Sequence, residues 1–366
     1  MAAAVEKLQQ NLGGVDLKLF DEAVEAESRR RLGNFADGVK AYQTLSRPPR
    51  PDDVPTIWQQ GTTRLLDYGA THDTAKDGPP ILCVPSLINR AYVLDLTRQR
   101  SLMRDLAKQG FRPLLVDWDG PGPAEQGYSL SDYIGGRLES ALDAATEITG
   151  RPVTVLGYCM GGLLALALAQ RKPDQVAALA LLATPWDFHA PDAAAVRMLR
   201  AVAPQLAVMI DTLGLMPVDM LQAMFASLDP TMAIRKFQAF ARLDKRSAKA
   251  RHFIALEDWL NDGVPLTGPV ARECLFDWYL GNTPARGTWS VKDRPVRPEE
   301  VTTPTLAIIP EQDYIVPPES AAPLAALLPK VESRVVAAGH IGMVVGSRGP
   351  TLLYPLLGDW FRDHLR

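Results

Sequence analysis

Cysteine is nearly absent from this 366-residue chain, with only Cys83, Cys159 and Cys274, and histidine is scarce, with five residues. Three thiols leave one unpaired in any scheme and build no disulfide framework, which points to a reducing compartment. His72, His189, His252, His340 and His364 are scattered. Neither they nor the cysteines stand at metal-ligand spacings such as HxxxH or CxxC, so no metal and no bound cofactor are expected. No apolar stretch reaches the roughly 18 residues of a membrane span. The opening MAAAVEKLQQ lacks the charged-then-apolar order of a secretory signal, so a cytoplasmic protein without a transmembrane segment is expected. Charge of one sign is also missing: 39 Lys and Arg stand against 42 Asp and Glu, a formal net charge of −3. That balance offers no basic stripe to nucleic acid and no polybasic patch to a membrane. What is present is a 47% hydrophobic composition, enough for a large core, and small-molecule chemistry is the class left standing.

Along the chain, Phe20, Val24, Leu32, Phe35, Val39 and Tyr42 recur at helical steps with Glu and Arg between them. The reading is a packed N-terminal helix pair, with a partner-binding helix as the functional alternative. SRPPRPDDVP, Ser46 to Pro55, breaks the periodicity because proline lacks an N–H donor and restricts its predecessor. Residues 1–55 are therefore taken as a helical segment with a Pro-rich linker, and 56–366 as the catalytic domain. Beyond it, TRLLDYG, PPILCVPS, FRPLLVDW, PVTVLGYC, AALALLAT, PTLAIIPEQD and SRVVAAGH read as strands, several apolar at consecutive positions as in parallel strands buried on both faces. RQRSLMRDLAKQG, LSDYIGGRLESALDAATEITG, GGLLALALAQRK and LLYPLLGDWFRDHLR read as helices between and after them. An α/β class follows, a mostly parallel, doubly wound sheet. More than a hundred residues separate AALALLAT from PTLAIIP, too many for a bare loop. They are rich in Met and Leu at helical spacing and read as an inserted helical cap, about 187–300. Its methionines are core filling by default, and an adaptable wall for a greasy substrate by the functional reading.

GYCMGG, Gly157 to Gly162, fits the nucleophile elbow GxSxG with cysteine in the serine place. A sharp strand-to-helix turn leaves room only for glycine two residues before and two after the nucleophile. Two later strand ends supply partners: Asp313 follows TLAIIPEQ, and His340 follows SRVVAAG. The order nucleophile, acid, histidine is that of the alpha/beta-hydrolase fold, with the cap inserted after the sixth strand of that fold. In this reading His340 takes the proton of the thiol or of an incoming hydroxyl, and Asp313 sets the imidazole tautomer. The backbone N–H of Met160 serves the developing oxyanion, with a second donor around Leu87 and Ile88 in VPSLINR. Cys83 and Cys274 read as inert buried thiols, His189 and His252 as structural or surface groups, and Asp117 and Asp187 as turn residues. Cysteine in place of serine suggests acyl transfer between thiols, since a thiolate forms and releases thioesters at nearly balanced energy.

At these residues the chain resembles the polyhydroxyalkanoate (PHA) synthases, particularly the short class III catalytic subunits. The likeness runs from about Thr63 to the C-terminus through VPSLINRAYVLDL, LLVDWDGPG with YSLSDYIGG, GYCMGG, LLATPWDF, LEDWLNDG, TPTLAIIPEQDYIVPP and GHIGMVVG. The resemblance implies polymerisation of (R)-3-hydroxyacyl-CoA with release of CoA, the growing polyester being carried on Cys159. Asp313 would inherit the activation of the 3-hydroxyl that the family assigns to its aspartate. A second synthase subunit, a homodimer and attachment to polyester granules are further implications. Tyr314 stands where the family has histidine after the aspartate, and Trp186 where it has a small β-branched residue. A cysteine-dependent hydrolase, whether PHA depolymerase, esterase or acyl-CoA thioesterase, is the alternative on the same scaffold. A non-catalytic granule-associated protein is the third reading.

Overall fold

The structure is a computed structural model that describes residues 16–190 and 193–364. Eight strands form the central sheet: β1 (Thr56–Gln60), β2 (Thr63–Asp67), β3 (Pro80–Val84), β4 (Arg112–Asp117), β5 (Val153–Tyr158), β6 (Val176–Leu182), β7 (Thr305–Pro310) and β8 (Val331–Val336). Their spatial order is β1-β2-β4-β3-β5-β6-β7-β8. β2 pairs antiparallel with both β1 and β4, and every later pairing is parallel. The seven strands read from the sequence are all present. TIWQQ of β1 went unread because its polar half and exposed positions give no apolar run. β3, β5 and β7 are buried at every position, as strands covered by helices on both faces must be.

The helix after β5, α4 in chain order (α1 Leu17–Thr44, α2 Leu102–Lys108, α3 Glu139–Thr149, α4 Met160–Arg171), is buried along nearly its whole length. Its Ala and Leu residues face the sheet on one side and other helices on the other, which is why its sequence shows no polar stripe. After β6 the chain runs in sequence through α5 (Ala193–Leu213), α6 (Val218–Leu228), α7 (Met232–Ala241), α8 (Ala248–Asn261), and α9 (Gly268–Arg272), which runs on as a π-helical segment, Glu273–Leu280. Met209, Met216, Met220 and Met224 join the main hydrophobic cluster, whereas Met198 stands exposed. Among the described residues no helix is long and apolar enough to cross a membrane.

The chain forms two compact units. One comprises the residues up to Pro48 with Asp229–Ala255, the other Pro49–Leu228 with Leu256–Arg366. In the first, Phe20 to Tyr42 lie in the single 28-residue helix α1, not in a helix pair. The gap between Val24 and Leu32 is no break: it is a solvent-facing stretch where Glu25 and Glu27 pair with Arg29, Arg30 and Arg31. Asp16 caps the helix by accepting from Lys18 N at 2.9 Å. A side chain at Gly38 would collide with the Phe237 carbonyl of α7, so this glycine permits the two helices to touch. Phe240, Ala250 and Ile254, with Ala41, Tyr42 and Leu45 beside them, form the small core of this unit.

Candidate active site

Cys159 sits between β5 and α4 with φ 57° and ψ −128°, a conformation that costs a non-glycine residue on the order of 1–3 kcal/mol. The bend is held by Cys159 N–H donating to Leu182 O at 2.8 Å and Gly162 N–H donating to Cys159 O at 2.9 Å. A methyl at Gly157 would stand 2.5 Å from Gly162 Cα and 2.7 Å from Gly161 O, and one at Gly161 would meet the carbonyl oxygens of Val84 and Pro85. The glycine requirement two residues to either side of the cysteine is thus met by backbone packing. The additional Gly162 rests against the Thr184 side chain.

Asp313 lies on the loop after β7, 4% exposed, and His340 on the loop after β8, 7% exposed. His340 Nδ1 and Asp313 Oδ2 are 2.6 Å apart. The other carboxylate oxygen, Oδ1, accepts from Ile315 N and Val316 N, each at 2.8 Å, so both oxygens are engaged. Cys159, half-buried, is the imidazole's other polar neighbour. Burial is the largest single influence on His340 and opposes the charged ring. The charge of Cys159, the hydrogen bonds of Asp313 and Cys159 and the charge of Asp313 outweigh it together, and His340 is pushed up to about 10. The structure therefore brings Cys159, His340 and Asp313 together at the carboxyl edge of the sheet. Tyr158 was not singled out in the sequence. Its ring lies 5.2 Å from the imidazole and its hydroxyl donates to the His340 carbonyl at 3.3 Å.

Met160 is the first residue of α4, a position whose N–H has no intrahelical acceptor. In the turn after β3, Ile88 N–H donates to Ser86 Oγ at 3.0 Å, a partner absent from the sequence reading, and the Leu87 side chain is buried in the core. The start of this turn is fixed by Trp118 Nε1 donating to Pro85 O at 3.0 Å. The remaining candidates have structural surroundings. Cys83 lies inside β3 and Cys274 in the π-helical segment, and burial pushes both thiols up. Asp117 pairs with Arg64 at 2.6 Å, and Asp187 Oδ1 accepts from His189 N and Asn282 Nδ2. Among the described residues no three His, Cys, Asp or Glu side chains gather as metal ligands.

Residues 79–347 match the family model described as alpha/beta hydrolase fold. The chain is similar to the poly(3-hydroxyalkanoate) polymerase subunit PhaC of Allochromatium vinosum, 31% identical over 339 residues that cover 91% of this chain and 94% of that protein. It is also similar to the protein of the same name from Haloferax mediterranei, 30% identical with 95% of this chain and 71% of that one covered. Among solved structures it is similar to Paleococcus ferrophilus monoacylglycerol lipase, with TM-score 0.50, 16% identity and coverage of 82% of this chain and 99% of that one. At that identity the likeness is one of fold.

Proposed function

The chain belongs to the poly(3-hydroxyalkanoate) polymerase family of the alpha/beta-hydrolase superfamily, and from that premise we propose that it is an acyltransferase polymerising (R)-3-hydroxyacyl-CoA on Cys159 with release of CoA. The observation that carries the site assignment is the 2.6 Å contact of His340 with Asp313 beside a cysteine on a strained bend. With Nδ1 committed to Asp313, the other ring nitrogen is left to serve the thiol.

In the loading step the Cys159 proton already rests on His340, as the ring's raised affinity for it favours, and the sulfur attacks the thioester carbonyl. The oxyanion is received by Met160 N–H and by a donor from the Leu87–Ile88 turn. The C–S bond to CoA breaks, the imidazolium returns its proton to the leaving sulfur, and CoA departs as the free thiol. In the extension step the 3-hydroxyl of a further hydroxyacyl-CoA attacks the thioester carbonyl of the chain on Cys159, His340 takes its proton, an ester C–O bond forms, the C–S bond to Cys159 breaks and the imidazolium returns the proton to the Cys159 sulfur. Engagement of both Asp313 oxygens supports a role exerted through His340. These steps call on no metal and no cofactor beyond the substrate's own CoA. A cytoplasmic site of action at the polyester surface, homodimerisation and a second synthase subunit belong to the same proposal, the relatives being named as polymerase subunits.

The test incubates purified protein, wild type and Cys159→Ala, with 3-hydroxybutyryl-CoA, measures free thiol and separates polymer from acid. Thiol release with insoluble polyester from the wild type alone is expected. Soluble hydroxy acid as the only product would replace the synthase reading with a thioesterase. No turnover of any acyl donor would end the enzymatic reading.

A further inference from the structure

The family-like segment LEDWLNDG has no role in the steps above, yet it is bound to VPSLINRAYVLDL, whose turn supplies the second oxyanion donor. Trp259 Nε1 donates to the Arg90 carbonyl at 2.8 Å. Arg90 Nε donates to Asp262 Oδ1 at 3.3 Å while its guanidinium also pairs with Asp119. Tyr92 OH donates to Asp262 Oδ2 at 3.0 Å. A methyl at Gly263 would stand 3.6 Å from Asn89 Oδ1, and Asn89 itself has φ 66°.

Stability alone does not account for this arrangement. The Arg90, Asp119 and Asp262 side chains are 32%, 41% and 44% exposed, and ion pairs so exposed contribute little to stability. What the contacts do is fix a position. The turn's first residues are held by β3, by Trp118 and by the first turn of α4. Its far end, two residues beyond Ile88, is held by the segment Leu256–Gly263. We infer that Arg90, acting with Asp262, is a positioning residue that clamps the turn so that its N–H donor stays aligned with that of Met160, and that the cap segment thereby completes the oxyanion site. This rests on the acyl-transfer reading above, which needs an oxyanion site at that turn.

The test compares full-length wild type with Arg90→Gln, Asp262→Asn, their double variant and Arg90→Lys. Three readouts are taken: steady-state CoA release from 3-hydroxybutyryl-CoA, the rate of Cys159 alkylation by iodoacetamide, and Tm. Loosening one donor, short of deleting it, should lower kcat about 10- to 100-fold with KM within about twofold. The double variant should be no slower than the worse single one, because both break the same clamp. Arg90→Lys should recover part of the loss. Alkylation forms no oxyanion and should keep the wild-type rate, with Tm unchanged. Wild-type kcat in both single variants overturns the clamp. So does slowing of alkylation in step with kcat, which would place the effect on the nucleophile or the fold, and so does multiplication of the two losses. A wild type that alkylates at Cys159 but turns over no acyl thioester sinks the functional reading and the clamp with it.

Discussion

Replacing Gly157 by alanine asks whether the bend at Cys159 depends on backbone contact. The added methyl would lie 2.5 Å from Gly162 Cα, 2.7 Å from Gly161 O and 2.8 Å from Ala165 Cβ. Carbon–carbon contacts are comfortable at about 3.5–4.0 Å, so α4 must withdraw from β5 by about 1 Å. It has nowhere to go. All three obstacles belong to α4, which is buried along nearly its whole length and so has other parts of the core behind it. The expected loss is about 1–3 kcal/mol, the usual range for overpacking. At about 2 °C per kcal/mol for a chain of this size, Tm should fall by a few degrees. Because the shift moves Cys159 relative to His340, kcat for CoA release should fall about 100-fold, the cost of a misplacement near 1 Å. Gly127→Ala is the control: nothing lies within 4 Å of its added methyl, and it should stay within about 0.5 kcal/mol of wild type. Differential scanning calorimetry and thiol release together decide the matter. Gly157→Ala melting within about 1 °C of wild type with kcat within about twofold would refute the packing argument.

Backbone strain at the nucleophile makes a second claim. Cys159→Gly and Cys159→Ala should both abolish CoA release. The glycine variant should melt above the alanine variant, the reverse of the usual preference of about 0.5–1 kcal/mol for alanine in regular structure. The opposite order would mean that the bend is unstrained. Glu273, in the π-helical segment, is pushed up to about 7, chiefly by burial and further by Asp277 and Asp132, against the hydrogen bond it accepts from Leu130 N. The folded state therefore holds an extra proton between the ordinary carboxyl range and pH 7, and stability falls as pH rises through that window. Glu273→Gln keeps an acceptor for Leu130 N–H and removes the charge. It should raise stability at pH 8 by at most on the order of 3 kcal/mol and not at pH 4. An equal effect at both pH values would contradict the assignment.

The elbow was readable because it is local. A strand, a glycine-spaced bend and a helix within GYCMGG state their own geometry, and a side chain at Gly157 or Gly161 has no space. Asp313 and His340 were readable because each follows a strand, TLAIIP and VESRVV, and strand ends of a parallel sheet share one edge. Nothing in the sequence alone determined that Arg90 meets Asp262, 172 positions away, that Ser86 takes up the Ile88 N–H, or that α1 packs with Asp229–Ala255 as one compact unit. A charged residue on a polar turn has many partners open to it, and periodicity shows only that a helix has an apolar face, not which surface covers it. Those choices are made when the chain closes, because the contacts that select them are between residues far apart in sequence and are individually weak.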